Sequence, residues 1–500
     1  MMQQRAIKKV LIVGGGTAGW MSAAMLARFM GQQVQIQLIE SDAIATVGVG
    51  EATIPAIQHF NAALGINEAE FLQATQGTIK LGIQFENWGK PGDSYMHAFG
   101  PIGKPLGFTS FHHFWLAARA RGDSRSFWEF SLNYQAARAG KYQPLAQIPN
   151  TPLQGLVHAY HFDAGLYAAF LRRYSERLGV SRTEGTIAAV TQHPSEAIAE
   201  VVLTDGQKLA ADLFIDCSGS RALLIGQQLA VGYEDWQHWL PCDSALAVPS
   251  AATQPILPYT RAIARDAGWQ WRIPLQHRTG NGLVYNSQFL SDEQAQHTLM
   301  HHLDAPALAE PRKISFVTGR RKQQWQHNCV AIGLSSGFLE PLESTSIHLI
   351  QSAIVRLVQC FPTSVDMAKL RQEYNRQSAE EYCAIRDFII LHYHLNQRTD
   401  QGLWQYCQQM TLPDSLAQRI ALFAENAAVF RQQDELFTEV AWQQVMLGQH
   451  VLPKHYHPLA ESLSAGQLTG FLDDIQLIMQ RTAAQLPSHQ QFLQQSAAQQ

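Results

Sequence analysis

Three groups of residues in this 500-residue chain have types and spacings that could do chemistry. The first is Gly14-x-Gly16-x-x-Gly19, set directly after the apolar run Val10 to Val13. Glycines in that pattern serve a tight turn, close approach of backbone to a pyrophosphate, and close packing of a helix on a strand. The N–H groups and positive dipole end of the helix then face the phosphates. The motif alone is weak, but Glu40 closes the next apolar run about twenty residues on, where a carboxylate can take ribose hydroxyls. The second is Lys80, in "GTIKLGIQFENW" (residues 77–88), where Ile79, Leu81, Ile83 and Phe85 alternate with polar or small residues. Read alone, that alternation predicts a strand with one packed face and Lys80 on the solvated one. The third is a set of histidine pairs, His112–His113, His301–His302, His392/His394 and His455/His457. A His-x-His pair can hold a metal, but no carboxylate or third histidine stands at ligand spacing, so no metal is expected.

The elements that must position these residues follow from periodicity. "KKVLIVGGG", "VQIQLIES" and "ADLFIDCSGS" read as strands of a nucleotide-binding α/β body, and "TIAAVTQH" with "AIAEVVLTDGQKL" as a hairpin or small sheet. From about residue 360 the spacing turns helical. The expected organisation is residues 1–360 as a dinucleotide-binding body, 361–485 as a mostly helical module covering the substrate, and 486–500 as a frayed, Gln/Ala-rich tail.

Composition removes several classes of function. Hydrophobic residues at 46% and charged residues at 16% supply a sizeable core. The net charge of −4 is mixed along the chain, with no basic stripe for nucleic acid. The start runs straight into a strand and lacks the apolar core of a signal peptide. No apolar run approaches the roughly 18 to 20 residues needed to span a bilayer. The six cysteines are irregularly spaced, which argues against zinc and disulfides and for a reducing cytoplasm.

The choice of dinucleotide follows from two later stretches. "LFIDCSGSR" (213–221) resembles the second flavin fingerprint of the FAD-dependent monooxygenases, a strand ending in Asp-x-x-Gly. "CVAIGLSSGFLEPLESTS" (329–346) resembles their third, where a strand delivers the chain to the flavin. Three stretches in this order favour FAD on a Rossmann-like body of the flavin monooxygenase type. A second complete GxGxxG with its acid is lacking, so reducing equivalents are expected from a separate NAD(P)H-dependent flavin reductase.

Several motifs then coincide. "GGGTAGW" (14–20), "VGVGEATIP" (47–55), "GTIKLGIQFENW" (77–88), "YMHAFG" (95–100), "GWQWRIPL" (268–275), "GFLEPLESTSIHLI" (337–350) and "RDFIILHY" (386–393) together resemble the flavin-dependent tryptophan halogenase family, from about residue 8 to about 450. Trp269, Trp271 and Pro274, in the WxWxIP element, separate that family from ordinary flavin monooxygenases. The resemblance implies that reduced FAD and O2 oxidise chloride or bromide to hypohalous acid. The acid travels through an internal tunnel to a lysine, which holds it as a haloamine or by a hydrogen bond and delivers it to an electron-rich ring. Lys80 matches that lysine and Glu343 the glutamate beside it, which polarises the oxidant or takes the ring proton. From the sequence pattern alone, Glu343 reads equally as a first-turn acid favouring the helix dipole. Thr345 and Ser346 match the two positions whose amides hold the halide. The family's free-tryptophan enzymes carry glycine at the second position; Ser346 keeps the amide but narrows the space, leaving halide preference open. Cofactor contacts are expected from Gly14, Gly16, Thr17, Ala18, Gly19, Glu40, Gly50, Ala52, Gly333, Leu334 and Ile347. The indoles of Trp269 and Trp271 either wall the flavin side of the tunnel or are core aromatics on a strand.

His97 and Phe99 match the pair that stacks on one face of the indole, and Phe437 stands where a sandwiching tryptophan would be. The Tyr–Tyr pair and glutamate that grip free tryptophan are not evident in "ENAAVFRQQDELF" (425–437). An aromatic shelf without a zwitterion grip favours indole, a substituted indole or phenol, or a larger molecule bearing such a ring. The competing readings are a flavin-dependent aromatic hydroxylase that ignores halide and a non-catalytic flavin-binding protein. Assembly is left open, a homodimer being one option.

Overall fold

A computed structural model describes residues 6–43, 50–364, 367–399, 402–432 and 434–498. The chain divides into two compact units. The first comprises residues 1–77, 162–243 and 315–383, and the second residues 78–161, 244–314 and 384–500. The chain thus crosses between them several times, the last time within the long helix Ala368–His394.

The first unit is built on a six-stranded sheet in the order Trp325–Gln326, Cys329–Ala331, Leu213–Asp216, Lys9–Val13, Gln35–Glu40, Ser181–Glu184. All neighbours are parallel except the first pair. Lys9–Val13 sits centrally, and Val10 to Val13 read as an unbroken apolar run because both faces are covered. The register pairs Val13 with Asp216, Asp216 with Ala331, and Val13 with Ile39. The carboxyl ends of four strands therefore finish level, and the three sequence fingerprints emerge along one edge. In open α/β sheets that edge is where ligands bind. Leu11, Val13, Phe214, Ile225 and Ala331 form part of the core beneath it. The expected small sheet is present as Ile187–Gln192, Ile198–Leu203 and Lys208–Ala210, all antiparallel.

The second unit carries a seven-stranded mixed sheet in the order Arg312–Ser315, Ser244–Ala251, Arg278–Tyr285, Gly268–Pro274, Thr260–Arg265, Gly82–Glu86, Ser94–Ala98. Helix Glu439–Gly448 packs on Ser94–Ala98, and helix Ala465–Gln485 packs on Phe111–Ala120 and Leu132–Arg138. Among the described residues after 360, the elements between the loops are helices, as expected.

Two expectations change. The stretch 77–88 is two short strands, Thr78–Lys80 and Gly82–Glu86, and every residue from Thr78 to Phe85 is buried on either face. Residues 486–498 are not frayed. They form the helix His489–Ala498, with His489 and Leu493 buried and Phe492 set edge-on against Tyr142 at 4.8 Å. The glutamine-rich composition hides these anchors, whose helical spacing buries one narrow stripe.

Candidate active site

In the first unit the glycines of the opening motif each answer a different steric demand. Gly14 has φ +112°, and a Cβ there would lie 2.2 Å from the Cys217 carbonyl oxygen. A Cβ on Gly19 would lie 1.8 Å from the Gly14 oxygen, so helix Thr17–Met30 closes tightly on the strand end. A Cβ on Gly16 meets nothing within 4 Å among the described residues, and no side chain among them caps the helix that begins at Thr17 and Ala18. Gly16 therefore keeps open the space that an uncapped helix start faces. A pyrophosphate fits that donor set. Sequence reading passed over Gly15, whose Cβ would overlap the Glu40 carboxylate at 1.5 Å.

Glu40 is already engaged. Arg182 Nε donates to its Oε1 at 2.6 Å, Trp20 Nε1 donates to its Oε2 at 3.4 Å, and Arg172 lies 3.7 Å away. A carboxylate offers about four acceptor directions, so ribose hydroxyls can be added without breaking this set. Arg182 was missed. Its signal is the strand "SRTE", which pairs beside Gln35–Glu40. Gly333, with φ +80°, turns against the same helix start, its virtual Cβ 2.8 Å from Ala18 Cβ. Leu334 beside it is half exposed, while Ile347 is buried. Gly50 has φ +127° and Ala52 is buried on the short strand Glu51–Ala52; residues 47–49 of that motif lie outside the described residues. Burial pushes the Glu51 carboxyl up to about 7, a group the sequence reading did not single out.

The PLESTS stretch forms a 3-10 turn, Pro341–Glu343, then Ser344 at φ +59°, then helix Ser346–Gln359. Glu343 and Thr345 are completely buried. No side chain caps this helix among the described residues, and Thr345 Oγ1 is buried without a hydrogen-bond partner among them. Free amides and an unsatisfied hydroxyl suit a small anion, and Thr345 and Ser346 supply them. Further along the helix, Glu381 accepts from His348 Nε2 at 2.9 Å, Ser352 Oγ at 2.8 Å and Arg356 Nη2 at 2.7 Å. Burial alone would raise the Glu381 carboxyl, but His348 and Arg356 bring it down to about 2.

In the second unit Lys80 is 0% exposed, which removes the solvated reading. Its strand pairs antiparallel with Ala159–Phe162, and Leu81 passes the chain to the larger sheet. Phe99 N donates to Leu81 O at 2.9 Å, and Lys80 Nζ lies 5.3 Å from the centre of the Phe99 ring. His97 and Phe99 meet edge-on at 6.4 Å, and His97 lies 6.1 Å from Phe437. The structure thus brings together Lys80, His97, Phe99 and Phe437. It adds Phe388, stacked on Phe437 at 3.7 Å, and Trp442, edge-on to Phe388 at 4.8 Å. Phe388 lies within the motif at residues 386–393, which assigns the ring no role, and nothing in the sequence pattern singles out Trp442. Nearby, the buried Glu435 is held by both nitrogens of the Arg419 fork, at 2.5 and 3.1 Å, and Arg419 lies 4.1 Å from the Trp442 ring.

Trp269 and Trp271 are neighbours on strand Gly268–Pro274, 6.1 Å apart and buried. Trp269 faces Trp88, which in turn meets Tyr393 and Trp404 edge-on. Trp271 fills the space over Gly282, where a Cβ would lie 2.0 Å from its ring. Within this unit both indoles pack in the core. Pro274 contributes its carbonyl, which accepts from Thr78 Oγ1 at 2.7 Å. Among the described residues no cluster of three or more His, Cys, Asp or Glu could hold a metal, and no helix is long and apolar enough to cross a membrane.

Comparison with known proteins places this geometry. The tryptophan halogenase family profile matches residues 9–465. The chain is 39% identical over 442 residues to a tryptophan 6-halogenase of Streptomyces toxytricini, covering 84% of each. Among solved structures, a flavin-dependent halogenase from Xanthomonas campestris superposes with TM-score 0.95 at 50% identity, covering 98% of this chain and 99% of that one. A flavin-dependent halogenase from Brevundimonas sp. BAL3 gives TM-score 0.94 at 43% identity, with coverage of 98% and 99%. A level strand edge with a dinucleotide cradle, a buried lysine over an aromatic shelf, and a match along almost the whole chain lead to one conclusion: this chain is an enzyme of the tryptophan halogenase family.

Proposed function

We propose that this chain halogenates an electron-rich, indole-like aromatic ring, using FADH2 delivered by a separate NAD(P)H-dependent flavin reductase, O2, and chloride or bromide. The observation that carries the reading is Lys80, wholly buried with its nitrogen above the Phe99 ring. A lysine costs several kcal/mol to bury, and that cost is retained where the ammonium has chemistry to do.

The flavin, when bound, supplies two electrons to O2, so that halide leaves as hypohalous acid and the second oxygen leaves as water. Gly14, Gly16, Thr17, Ala18 and Gly19 hold the pyrophosphate, and Glu40 the ribose. Gly50, Ala52, Gly333, Leu334 and Ile347 shape the remaining contacts. The amides of Thr345 and Ser346 hold the halide. Lys80 receives the hypohalous acid in one of two ways. Its ammonium donates a hydrogen bond to the oxygen, or its neutral amine takes the halogen and releases water. A fixed carrier protects surrounding methionines and aromatics from a diffusing oxidant. His97, Phe99 and Phe437 present the ring, and Glu343 accepts the proton displaced by the halogen. Glu435 is committed to Arg419, so it is not offered to a substrate ammonium. That pairing supports indole, a simple indole or phenol, or a larger molecule bearing such a ring over free tryptophan.

The test is turnover with a flavin reductase, NADH, FAD and indole in chloride, in bromide, and without either. Haloindole formed only with halide is the expected result. Hydroxylated indole formed at the same rate in all three overturns the proposal in favour of a hydroxylase. Peroxide without organic product leaves a non-catalytic flavoprotein.

A further inference from the structure

Two histidines outside the site described above clasp the strand that carries Lys80. His161 lies opposite Thr78 on the paired strand, and His489 is the first residue of helix His489–Ala498. Each spans two pieces of chain. His161 contacts Thr78 Oγ1 through Nδ1 at 2.9 Å and Thr260 Oγ1 through Nε2 at 2.9 Å. His489 contacts the Ile79 amide through Nε2 at 3.1 Å and the Ile256 carbonyl through Nδ1 at 3.0 Å. Between these ties Leu81 N donates to Pro258 O at 2.8 Å. The segment from Ile256 to Thr260 therefore runs beside residues 78–81, with an imidazole bridging at either end.

The hydrogen-bond inventory fixes both rings. The single proton of Thr78 Oγ1 goes to the Pro274 carbonyl, so this hydroxyl accepts from His161 Nδ1–H. His161 Nε2 is then the acceptor for the Thr260 hydroxyl. Ile79 offers only an amide proton, so His489 Nε2 accepts it, and Nδ1–H donates to Ile256. Both rings are neutral Nδ1–H tautomers with every nitrogen used. Burial pushes His489 down to about 4. His161 is lowered well below the ordinary histidine range by burial first, then by the positive charge of Lys80.

We infer that His161 and His489 are positioning residues for Lys80, two neutral imidazole spacers that fix its strand at the separation the halogen transfer needs. This rests on Lys80 being the acceptor of hypohalous acid. Neither imidazole touches substrate or oxidant; both act through the backbone and side chain of residues 78 and 79. A lysine held loosely would miss oxidant formed elsewhere, and the oxidant would escape.

The experiment measures partition. Full-length His489→Ala and His161→Asn are assayed with indole, reductase and bromide, with a soluble β-diketone present to trap free hypobromous acid. O2-dependent bromide oxidation is expected to stay near the wild-type rate. Bromoindole falls about tenfold to 100-fold and brominated diketone rises to match. Added imidazole partly restores bromoindole in His489→Ala. Phe492→Ala controls for helix docking, since it removes the contact with Tyr142 and leaves the imidazole. Its melting temperature falls but its partition stays wild-type. Wild-type partition in both folded histidine variants overturns the inference, and so does equal leakage in Phe492→Ala. Lys80→Ala, run alongside, separates the two levels: if it still makes bromoindole, the role of Lys80 itself is wrong.

Discussion

The cradle of the first unit and the lysine cluster of the second are made of different materials. The cradle is backbone. Its key residues are glycines, its donors are amides at a helix start, and its acids and hydroxyls are few. The cluster is side chain. Lys80, His97, Phe99, Phe388, Phe437 and Trp442 come from four separate stretches of sequence and meet only by packing. A backbone site depends on a local turn and tolerates variation around it. A side-chain site depends on every element that carries a member.

The sharpest test of that difference is Lys80→Ala. Product formation should fall by about three orders of magnitude or more, while FAD affinity, measured by fluorescence titration, stays within about twofold. A parallel loss of FAD binding would break the separation between the two regions. Gly19→Val comes next, because its side chain must enter space held by the Gly14 oxygen. A stability loss of about 3 kcal/mol is expected in chemical denaturation, together with loss of FAD binding. A similar loss of about 3 kcal/mol belongs to acid titration of Glu381. Its folded carboxyl, brought to about 2 from an ordinary value of 4.5, contributes stability that is complete above 4.5. That contribution disappears as pH falls from 4.5 toward 2, and Glu381→Gln should flatten this part of the stability profile. The smallest effect belongs to Gly16→Ala. Its Cβ enters open space, so the melting temperature should hold while FAD affinity falls about tenfold, or about 1.4 kcal/mol. Unchanged FAD affinity would show that the open side of Gly16 faces something other than the cofactor.

The same contrast explains what could be read in the sequence. Gly14, Gly16, Gly19 and Glu40 were legible because a turn and its glycines are local, and spacing alone encodes them. The strand edge followed, since apolar runs ending in Asp216 and Ala331 mark where strands stop. Lys80 was legible as a strand residue; its enclosure did not follow from the alternation and came only from the family resemblance, which sets the lysine at the end of an internal tunnel, and the side chain is 0% exposed. Alternation reports period, and it cannot say that a second layer covers the other face. Phe388 and Trp442 were hidden inside helices whose apolar residues look like ordinary core. His489 was hidden more completely, in a glutamine-rich stretch whose composition argued for fraying. Arg182, the partner of Glu40, had only a four-residue strand to announce it.

The clasp on Lys80 also bears on the order in which the protein folds. The hydrogen bond from Ile79 to His489 closes a loop of 410 residues. Contacts at such separation form late, because the chain entropy of closing the loop must be met before the contact stabilises anything. The pairing of Lys9–Val13 with Gln35–Glu40, which frames Gly14 to Glu40, closes a far shorter loop, although Cys217 and Arg182 join it from farther along the chain. The tie between Ile79 and His489 is therefore expected to form after that pairing, and hydrogen exchange at the Ile79 amide is the measurement that checks it. Under the proposed function, the stretch that aims the halogen is therefore the one whose completion waits on the far end of the chain.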